Sequence, residues 1–235
     1  MVARTRTSLF RGVNQYVPGM AYSADLMVGA PKAFSLGKPA VSAASAISAN
    51  AGAANALTTY ILNFEMDSTF GRSIRVDFSG VPGTNAVVRL IGEDYLGQPI
   101  SRDYTGAAAA TTTTPGGIIF WKRITAARMT VVASNAVNIQ IGTNPALGLP
   151  YKCNIAWVKE GNPAAIITGA GTFAARSLPD LTDPATIATN DPRGGYTPVA
   201  AANSLNEYIL GLEGDPFVNA AGNGGLHGIR QFFTP

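Results

Sequence analysis

Apolar residues recur at every second position through the middle of the chain. TTYILNFEMD (58–67) carries an aromatic, aliphatic or methionine side chain at each even position from 60 onward, and leaves Ile61 among polar residues at the odd ones. RSIRVDFSG (72–80) alternates in the same way. Because successive side chains of a strand point to opposite faces, both segments are predicted to be half-buried antiparallel strands, separated by a Ser-Thr-Phe-Gly turn.

Further short β-rich runs follow at a spacing of about ten residues. The first two, 86–94 and 98–106, flank a Tyr-Leu-Gly turn and are predicted to form a hairpin, whereas GAAAATTTTPGG (106–117) is predicted to be a loop. The remaining runs, with no convincing helix between them, are 118–126, 128–134, 137–143, 151–160 and 164–173. This arrangement is typical of all-β proteins and predicts an antiparallel β-sandwich or jelly-roll-like body.

Both ends of the chain lack this regularity. Residues 1–56 are rich in glycine and proline and are expected to form an extended N-terminal arm that ends in an Ala-rich linker (40–56), although a short helix is an alternative for that linker. The body is expected to span 57–175. Residues 176–235 are expected to form a loop-rich C-terminal extension, in which 205–214 is a strand or a short helix.

Charge is scarce for a chain of 235 residues. Only 13% of the residues are charged, about half of the usual proportion near 25%. The surface must therefore consist largely of small neutral residues, and a nearly uncharged surface favours association. This composition suits a subunit that packs against neighbours.

Several functional classes are excluded by what the sequence lacks. No apolar run is long enough for a membrane-spanning helix, and the basic start has no apolar segment behind it, so we expect no secretory signal. Cys153 and His227 are the only residues of their kinds, which excludes an internal disulfide framework and a multi-cysteine or multi-histidine metal site. We expect synthesis in a reducing cytoplasm, with no metal and no cofactor.

Positive charge is concentrated near the N-terminus. Residues 1–38 carry five basic residues and one acidic residue, a net charge of +4, so the rest of the chain has a net charge of −1. Nucleic-acid binding is not favoured, because the basic residues are not clustered and no aromatic platform accompanies them. We expect the arm to dock onto an acidic face of a neighbouring subunit. The candidate interface residues are Arg4, Arg6, Phe10, Arg11 and Tyr16.

Three patterns of catalytic or nucleotide sites occur, and each has a simpler explanation. Gly169, Gly171 and Ala174 match the G-x-G-x-x-A fingerprint, but Pro179 leaves too little room for the helix that the fingerprint requires, so a Gly-rich strand end is preferred. No nucleophile elbow accompanies His227 or Cys153. We therefore expect no nucleotide site and no catalytic triad.

Paired carboxylates are the remaining catalytic option, as in glycan-cleaving enzymes. The available pairs are Glu65 with Asp67 and Glu93 with Asp94, which occupy a polar strand face and the start of a hairpin turn. Both are places where acidic residues serve solubility and turn formation. A sugar site also needs tryptophan for stacking, but Trp121 and Trp157 each lie in an apolar run and are predicted to be in the core. No catalytic residue is predicted.

Several segments together resemble virion structural proteins of tailed bacteriophages. VVRLIGEDYLGQPISRDYT carries Gly92, Asp94 and Gly97-Gln98-Pro99 at its turn, and it leads into GIIFWKRITAARM. VNIQIGTNPALGLPYK follows, with Gly142 and Leu147-Gly148-Leu149-Pro150, and NDPRGGYTP (190–198) is similar to the DPRG-type loops late in such proteins. The resemblance covers residues 85–200 and rests on the style of these segments and on their order along the chain.

Within that group the chain looks most like a capsid decoration, or cement, protein. The resemblance implies a small β-sandwich or jelly roll, often a homotrimer, that clamps subunits of the major capsid protein and acts in the virion without catalysis. Its partners would be the major capsid protein and copies of itself, with no membrane, nucleic acid or small-molecule substrate. Alternatives are a neck or tail connector or minor tail protein and, from another class, a receptor- or glycan-binding module.

Overall fold

The computed structural model describes residues 32–95, 97, 99–115, 118–150, 153–162, 165–167, 171–174 and 194–214. These residues form strands, turns and loops, with no helix among them. The strands are β1 (Lys32–Ser35), β2 (Thr59–Glu65), β3 (Arg72–Phe78), β4 (Ala86–Glu93), β5 (Pro99–Gly106), β6 (Thr113–Pro115), β7 (Phe120–Trp121), β8 (Arg123–Val131), β9 (Ile139–Gly148), β10 (Cys153–Asn162), β11 (Ala165–Ile167), β12 (Thr172–Ala174), β13 (Gly195–Thr197) and β14 (Glu207–Gly214).

The strands form three antiparallel sheets. Sheet I has the order β2-β8-β4-β5-β6, sheet II the order β12-β13-β9-β3-β7, and sheet III the order β1-β14-β10-β11. Each described pairing within them is antiparallel. The prediction of an all-β protein with an antiparallel sandwich is confirmed.

Sheets I and II pack face to face and enclose the larger core. Alternate residues of β4 (Ala86, Val88 and Leu90) point inward and meet aliphatic residues of β3 and β9. Trp121, predicted to be in the core, is fully buried here. Period-two alternation therefore gives one apolar face per sheet, and the two faces cover each other.

A second core lies between sheet III and the far end of sheet II. Leu210 and Leu212 of β14 pack with Leu147 of β9, Tyr196 of β13 and Leu36, which follows β1. Strand β9 thus contributes its first half to the larger core and its last residues to the second core.

A buried arginine ties the region between the two cores together. Arg72 Nε donates to the carbonyl oxygen of Asn144 (2.8 Å), and its guanidinium also reaches Ser42 Oγ (2.8 Å) and Asp67 Oδ1 (3.5 Å). Burial lowers the pKa of Arg72, and the charge of Asp67 partly offsets this effect. The side chain is anchored to three separate segments, as a buried charge requires.

The hairpin predicted for 86–94 and 98–106 is confirmed. β4 and β5 pair continuously from Ala86 opposite Gly106 to Glu93 opposite Pro99. The turn predicted between 58–67 and 72–80 does not make a hairpin, because β2 pairs with β8 in sheet I and β3 pairs with β9 in sheet II. Residues 66–71 instead carry the chain from one sheet to the other.

Strand β3 is not half-buried as its alternation predicts. Every residue is buried except Arg75, because the polar face is also covered. Asp77 accepts a hydrogen bond from Arg75 Nε (2.7 Å), and its backbone forms a bridge with Thr112. Both faces of this strand are therefore covered by protein. The alternation of the sequence shows which residues are polar, but it does not show which residues are exposed.

Several predicted boundaries are wrong. Strand β8 runs across the break placed between 118–126 and 128–134, whereas the run 164–173 covers β11 and the first two residues of β12, which belong to different sheets. The predicted loop 106–117 includes β6, which pairs with β5. The segment 205–214, left open between strand and helix, contains strand β14.

The described part of the expected arm and linker lies against the body. Strand β1 pairs with β14, and Leu36 is fully buried. In the Ala-rich segment, Ser48 forms a backbone bridge with Ile141 of β9 and Ala53 forms one with Asn138, just before β9, which places this segment along an edge of sheet II. No helix forms in 40–56, because backbone groups that a helix would satisfy internally bond to β9 instead.

The described residues hold no helical segment of the length and hydropathy that a membrane crossing requires.

Candidate interaction surfaces

The outer face of sheet I presents apolar side chains at its β2 edge. Leu57 and Ile61 flank Thr59 at two-residue spacing, so all three point outward, and Leu57 and Ile61 are 73% and 83% exposed. On the neighbouring strands, exposed Val131 of β8 pairs with half-buried Val87 of β4. We call Leu57, Ile61, Val87 and Val131 the β2 face.

The strand at this edge has one described neighbour. β2 pairs with β8, and no other described strand pairs with it. An edge strand offers unpaired backbone groups to another chain, and natural proteins usually protect such edges with charge or proline. Strand β2 contains no proline, and its one charged residue is Glu65 at its end. The Glu65 carboxylate forms an ion pair with Lys122 (3.2 Å).

One of the cations beside the β2 face is neutralised by an ion pair. Arg89 and Asp103 form a two-pronged ion pair with N···O distances of 2.7 and 2.8 Å, and this hydrogen bonding raises the pKa of Arg89. Arg123 donates to Asn63 Oδ1 (2.6 and 3.1 Å). Arg128 of β8, which pairs with Thr59 across the strands, is exposed to solvent.

The outer face of sheet III carries an exposed tryptophan. Trp157 is 43% exposed, so its predicted place in the core is wrong. The indole lies over Gly211 of β14, its register partner: a Cβ at position 211 would fall 2.1 Å from Trp157 Nε1 and 2.2 Å from Cε2. The absence of a side chain at 211 lets the ring sit against the sheet. Its remaining surface faces solvent.

A bulge in β10 turns Trp157 outward. The register against β14 shifts between Ile155 and Trp157, which leaves Ala156 as the extra residue. Ile155 and Val158 both pack on the second core although they are an odd number of residues apart. Without the bulge, alternation would place Trp157 on the same side as Ile155. A bulge has no clear signature in the sequence, and this is why alternation gave the wrong side.

A cleft of about 300 Å³ lies on the same sheet, near Trp157. Its lining residues are Lys38, Lys159, Glu160, Gly161, Asn162, Glu207 and Ile209. Lys159 follows Trp157 by two residues, pairs with Ile209 across the strands and points to the same face. Glu207 accepts a hydrogen bond from Ser35 Oγ (2.8 Å). Neither Lys38 nor Lys159 forms an ion pair with a described residue.

A buried carboxylate fixes the strand beneath this cleft. Glu160 is almost fully buried and accepts hydrogen bonds from the Tyr196 hydroxyl and from the backbone N–H groups of Val199 (3.2 Å) and Ala200 (2.8 Å). The same hydroxyl accepts from the Gly171 N–H (2.6 Å). Burial and the bond to Glu160 raise the pKa of Tyr196. These bonds join β10 to the turn after β13 and to the start of β12.

The predicted interface residues Arg4, Arg6, Phe10, Arg11 and Tyr16, as well as His227, lie outside the described residues.

In the first of the predicted carboxylate pairs both carboxylates have structural partners, since Glu65 pairs with Lys122 (3.2 Å). Asp67 accepts from the Ala40 N–H (2.6 Å) and lies within reach of Arg72. Asp94 is buried, and its carbonyl oxygen accepts from the Gly97 N–H in the β4–β5 turn. No group of three or more potential metal ligands occurs in the part of the chain that the structure describes.

Of the dinucleotide-like pattern, Gly171 and Ala174 are described. Ala174 ends strand β12, and Gly171 immediately precedes that strand. Here the Gly171 N–H already bonds to Tyr196, and a Cβ at 171 would fall 2.1 Å from the carbonyl oxygen of Thr197. The glycine therefore permits close strand packing at this point.

Comparison with family models, with curated proteins and with solved structures found no match to this chain.

Proposed function

We propose that this chain is a non-enzymatic structural protein of a phage particle, a decoration protein that stabilises the capsid lattice by binding copies of itself and the major capsid protein. The observation that carries this proposal is the β2 face, where Ile61 is exposed on an edge strand and Leu57 is exposed just before it. The free energy of the system falls when a partner covers exposed apolar groups in that position. The resemblance to phage virion proteins supports the assignment to a particle.

The first partner of the β2 face is a second copy of this chain. Two β2 edges can pair antiparallel, which satisfies their backbone groups and buries Ile61 of each copy. The neighbouring Arg89–Asp103 pair is internally neutral, so this pair does not oppose the approach of a second copy. The rest of the basic arm, residues 1–31, is then left to reach an acidic face of the capsid protein, as its three arginines against one aspartate, a net charge of +2, suggest.

The proposal is tested by the variant Ile61→Lys. A charge at the centre of the β2 face must be desolvated when copies associate, so we expect the oligomer to dissociate into monomers and binding to empty heads to fall at least tenfold, which corresponds to about 1.4 kcal/mol. Light scattering after size-exclusion chromatography measures the first effect, and co-sedimentation with empty heads measures the second.

Leu205→Lys is the matched control. Leu205 is similarly exposed, at 64%, but lies in the loop before β14, away from the β2 face. This variant should assemble normally, and both variants should unfold at the same urea concentration as the wild type. Assembly of Ile61→Lys at wild-type strength, or a monomeric wild-type chain without affinity for heads, would refute the proposal.

Copy number distinguishes the position in the particle. A decoration protein is present in hundreds of copies, whereas a neck or tail connector forms a ring of about six or twelve. Quantitative mass spectrometry of purified particles separates these alternatives.

A further inference from the structure

We propose that a pocket between sheets I and II binds a small neutral molecule that consists of one ring and a hydrogen-bond acceptor, such as a phenol. The pocket has a volume of about 190 Å³ and lies where β5 of sheet I meets the start of β3 and the end of β9 in sheet II. We call it the inter-sheet pocket. It shares no residue with the β2 face, so this inference does not depend on the proposed function.

The walls of the inter-sheet pocket are mostly apolar. Ile74 of β3 and Pro145 and Ala146 of β9 form one part of the lining, and Ile118 and Ile119, just before β7, form another. Ile118 is half-exposed and belongs to the mouth, whereas Ile119 is buried. A ligand that covers this lining with hydrocarbon removes apolar surface from water, which is favourable.

The size of the pocket limits the ligand to one ring. A closed apolar cavity of about 150 Å³ holds one benzene molecule. The inter-sheet pocket, at about 190 Å³, therefore has room for a six-membered ring with a small substituent. It is smaller than the sites of drug-sized ligands, which begin at about 300 Å³.

The chemistry of the lining favours a neutral ligand. Among the described residues that line the pocket, Tyr104 is the one with an ionisable side chain, and burial raises the pKa of its hydroxyl. A charged ligand would leave water without finding an opposite charge in this lining, which is strongly unfavourable. The pocket should therefore discriminate against ions.

Tyr104 also offers a hydrogen-bond donor to the ligand. Its side chain is buried, and its hydroxyl oxygen accepts a hydrogen bond from Trp121 Nε1 (3.2 Å). The hydroxyl proton is not donated to any atom of the described residues. A buried donor without an acceptor is unfavourable, so an oxygen atom of a bound ligand would supply the missing acceptor.

The pocket is formed before a ligand arrives. Ser73 Oγ donates to the carbonyl oxygen of Ala146 (3.2 Å), and Asn144 Nδ2 donates to the carbonyl oxygen of Ile74 (3.0 Å). These two bonds tie β3 to β9 beside the pocket, so little order has to be gained on binding. Because these two polar side chains already donate to the backbone, we expect Tyr104 to orient the ligand.

The experiment records isoleucine δ1-methyl NMR signals of the full chain during titration with p-cresol, a neutral ring with one hydroxyl group. The signals of Ile74, Ile118 and Ile119 should shift as the ligand binds. The signals of Ile61 and Ile209, which lie outside the lining, should stay in place. The charged analogue 4-methylbenzoate should bind more than about tenfold more weakly than p-cresol.

The variant Tyr104→Phe tests the hydrogen bond, with toluene as the ligand that lacks the oxygen. The ratio of the p-cresol affinity to the toluene affinity should fall about fivefold, because toluene never accepted a bond from Tyr104. This ratio removes any change in the shape of the pocket that affects both ligands. The signals of Ile61 and Ile209 show whether the variant keeps the native fold.

The variant Ala146→Leu tests the location of the ligand. The larger side chain occupies part of the pocket, so both p-cresol and toluene should bind more than about tenfold more weakly. Ala156→Leu is the matched control, because Ala156 is exposed on β10 in sheet III. This control should leave both affinities unchanged.

The inference is wrong if the Ile118 and Ile119 signals do not move at millimolar p-cresol, or if 4-methylbenzoate binds as tightly as p-cresol. An unchanged affinity ratio in Tyr104→Phe would also contradict it, as would shifts confined to Ile61 or Ile209. None of these results bears on the β2 face, since the Ile61→Lys test measures assembly and leaves the inter-sheet pocket intact.

Discussion

Individual polar residues in this protein are buried where they join separate segments. Glu160 is an example, because its carboxylate is removed from water and receives donors from β13 and from the turn that follows. A buried carboxylate is tolerated only when such donors are present. The sequence places Glu160 in the middle of the stretch VKEGN, next to Lys159, and gives no sign that it is enclosed.

Removal of one hydroxyl tests this network. In Tyr196→Phe, Glu160 loses one donor and the Gly171 N–H loses its acceptor, so we expect the free energy of unfolding to fall by about 2–3 kcal/mol in urea titrations. Tyr208→Phe is the control, since the Tyr208 hydroxyl donates to a neutral acceptor, the carbonyl oxygen of Ala200 (2.8 Å), and the loss of this bond should cost about 1 kcal/mol. Equal losses would contradict the role given to Glu160.

The buried tyrosines also predict a dependence of stability on pH. Burial raises the pKa of Tyr104, although Trp121 Nε1 donates to its hydroxyl (3.2 Å). The folded chain therefore keeps this proton when the unfolded chain, with an ordinary tyrosine pKa near 10, loses it. The contribution to stability is complete below about pH 10 and is lost as the pH rises further.

Tyr104→Phe should reduce this loss. In urea unfolding at pH 9, 10 and 11, the wild type should lose stability more steeply above pH 10 than the variant. The difference approaches about 1.4 kcal/mol per pH unit, which corresponds to one proton. Identical slopes would show that Tyr104 ionises in the folded state.

At the scale of strands, alternation predicted the existence of elements better than their partners. The β4–β5 hairpin follows from two alternating runs around a short turn, and both its strands and its register are local properties. β2 and β3 alternate as clearly, but their partners lie more than 50 residues away in the sequence. Such pairing depends on the packing of whole sheets, which no single segment encodes.

Alternation also predicted only some of the residues that are exposed on the surface. Ile61 is recognisable in the sequence because it interrupts the polar side of β2, and the structure places it in solvent. Trp157 is not recognisable in this way, because the bulge beside it reverses the alternation. The candidate site on sheet III therefore emerged only from the structure.

The edge of β9 gives a further prediction at this scale. A Cβ at Gly142 would lie 2.0 Å from the carbonyl oxygen of Ala43, because the Ala-rich segment passes directly over this residue. Gly142→Ala should therefore force that segment away and reduce the free energy of unfolding by about 1–3 kcal/mol. Hydrogen exchange should become faster at the amides of Ile47 and Ser48, which donate to Ile141.

Gly97→Ala is the control for this substitution. Gly97 has a positive φ of 78° in a turn with open space around it, so alanine there brings backbone strain without a clash. Its effect should be confined to the β4–β5 turn, with normal exchange at Ile47 and Ser48. Protected amides in Gly142→Ala would contradict the close approach of the two segments.

At the scale of the whole molecule, the two cores are joined through one strand. β9 supplies Ile139 and Ile141 to the larger core and Leu147 to the second core. Neither core can lose β9 without exposing the other, so the described sheets form one cooperative unit. Composition pointed to an uncharged exterior, but the division of the interior into two cores could not be predicted from it.

The pairing of β1 with β14 has a consequence for biosynthesis. Lys32 and Leu212 are neighbours in sheet III although 180 positions separate them along the polypeptide. A ribosome releases the N-terminal partner long before the other has been translated, and closing so distant a contact is slow. Until then Leu36 and Leu147 lack part of their cover, so nascent chains are expected to engage chaperones during this interval.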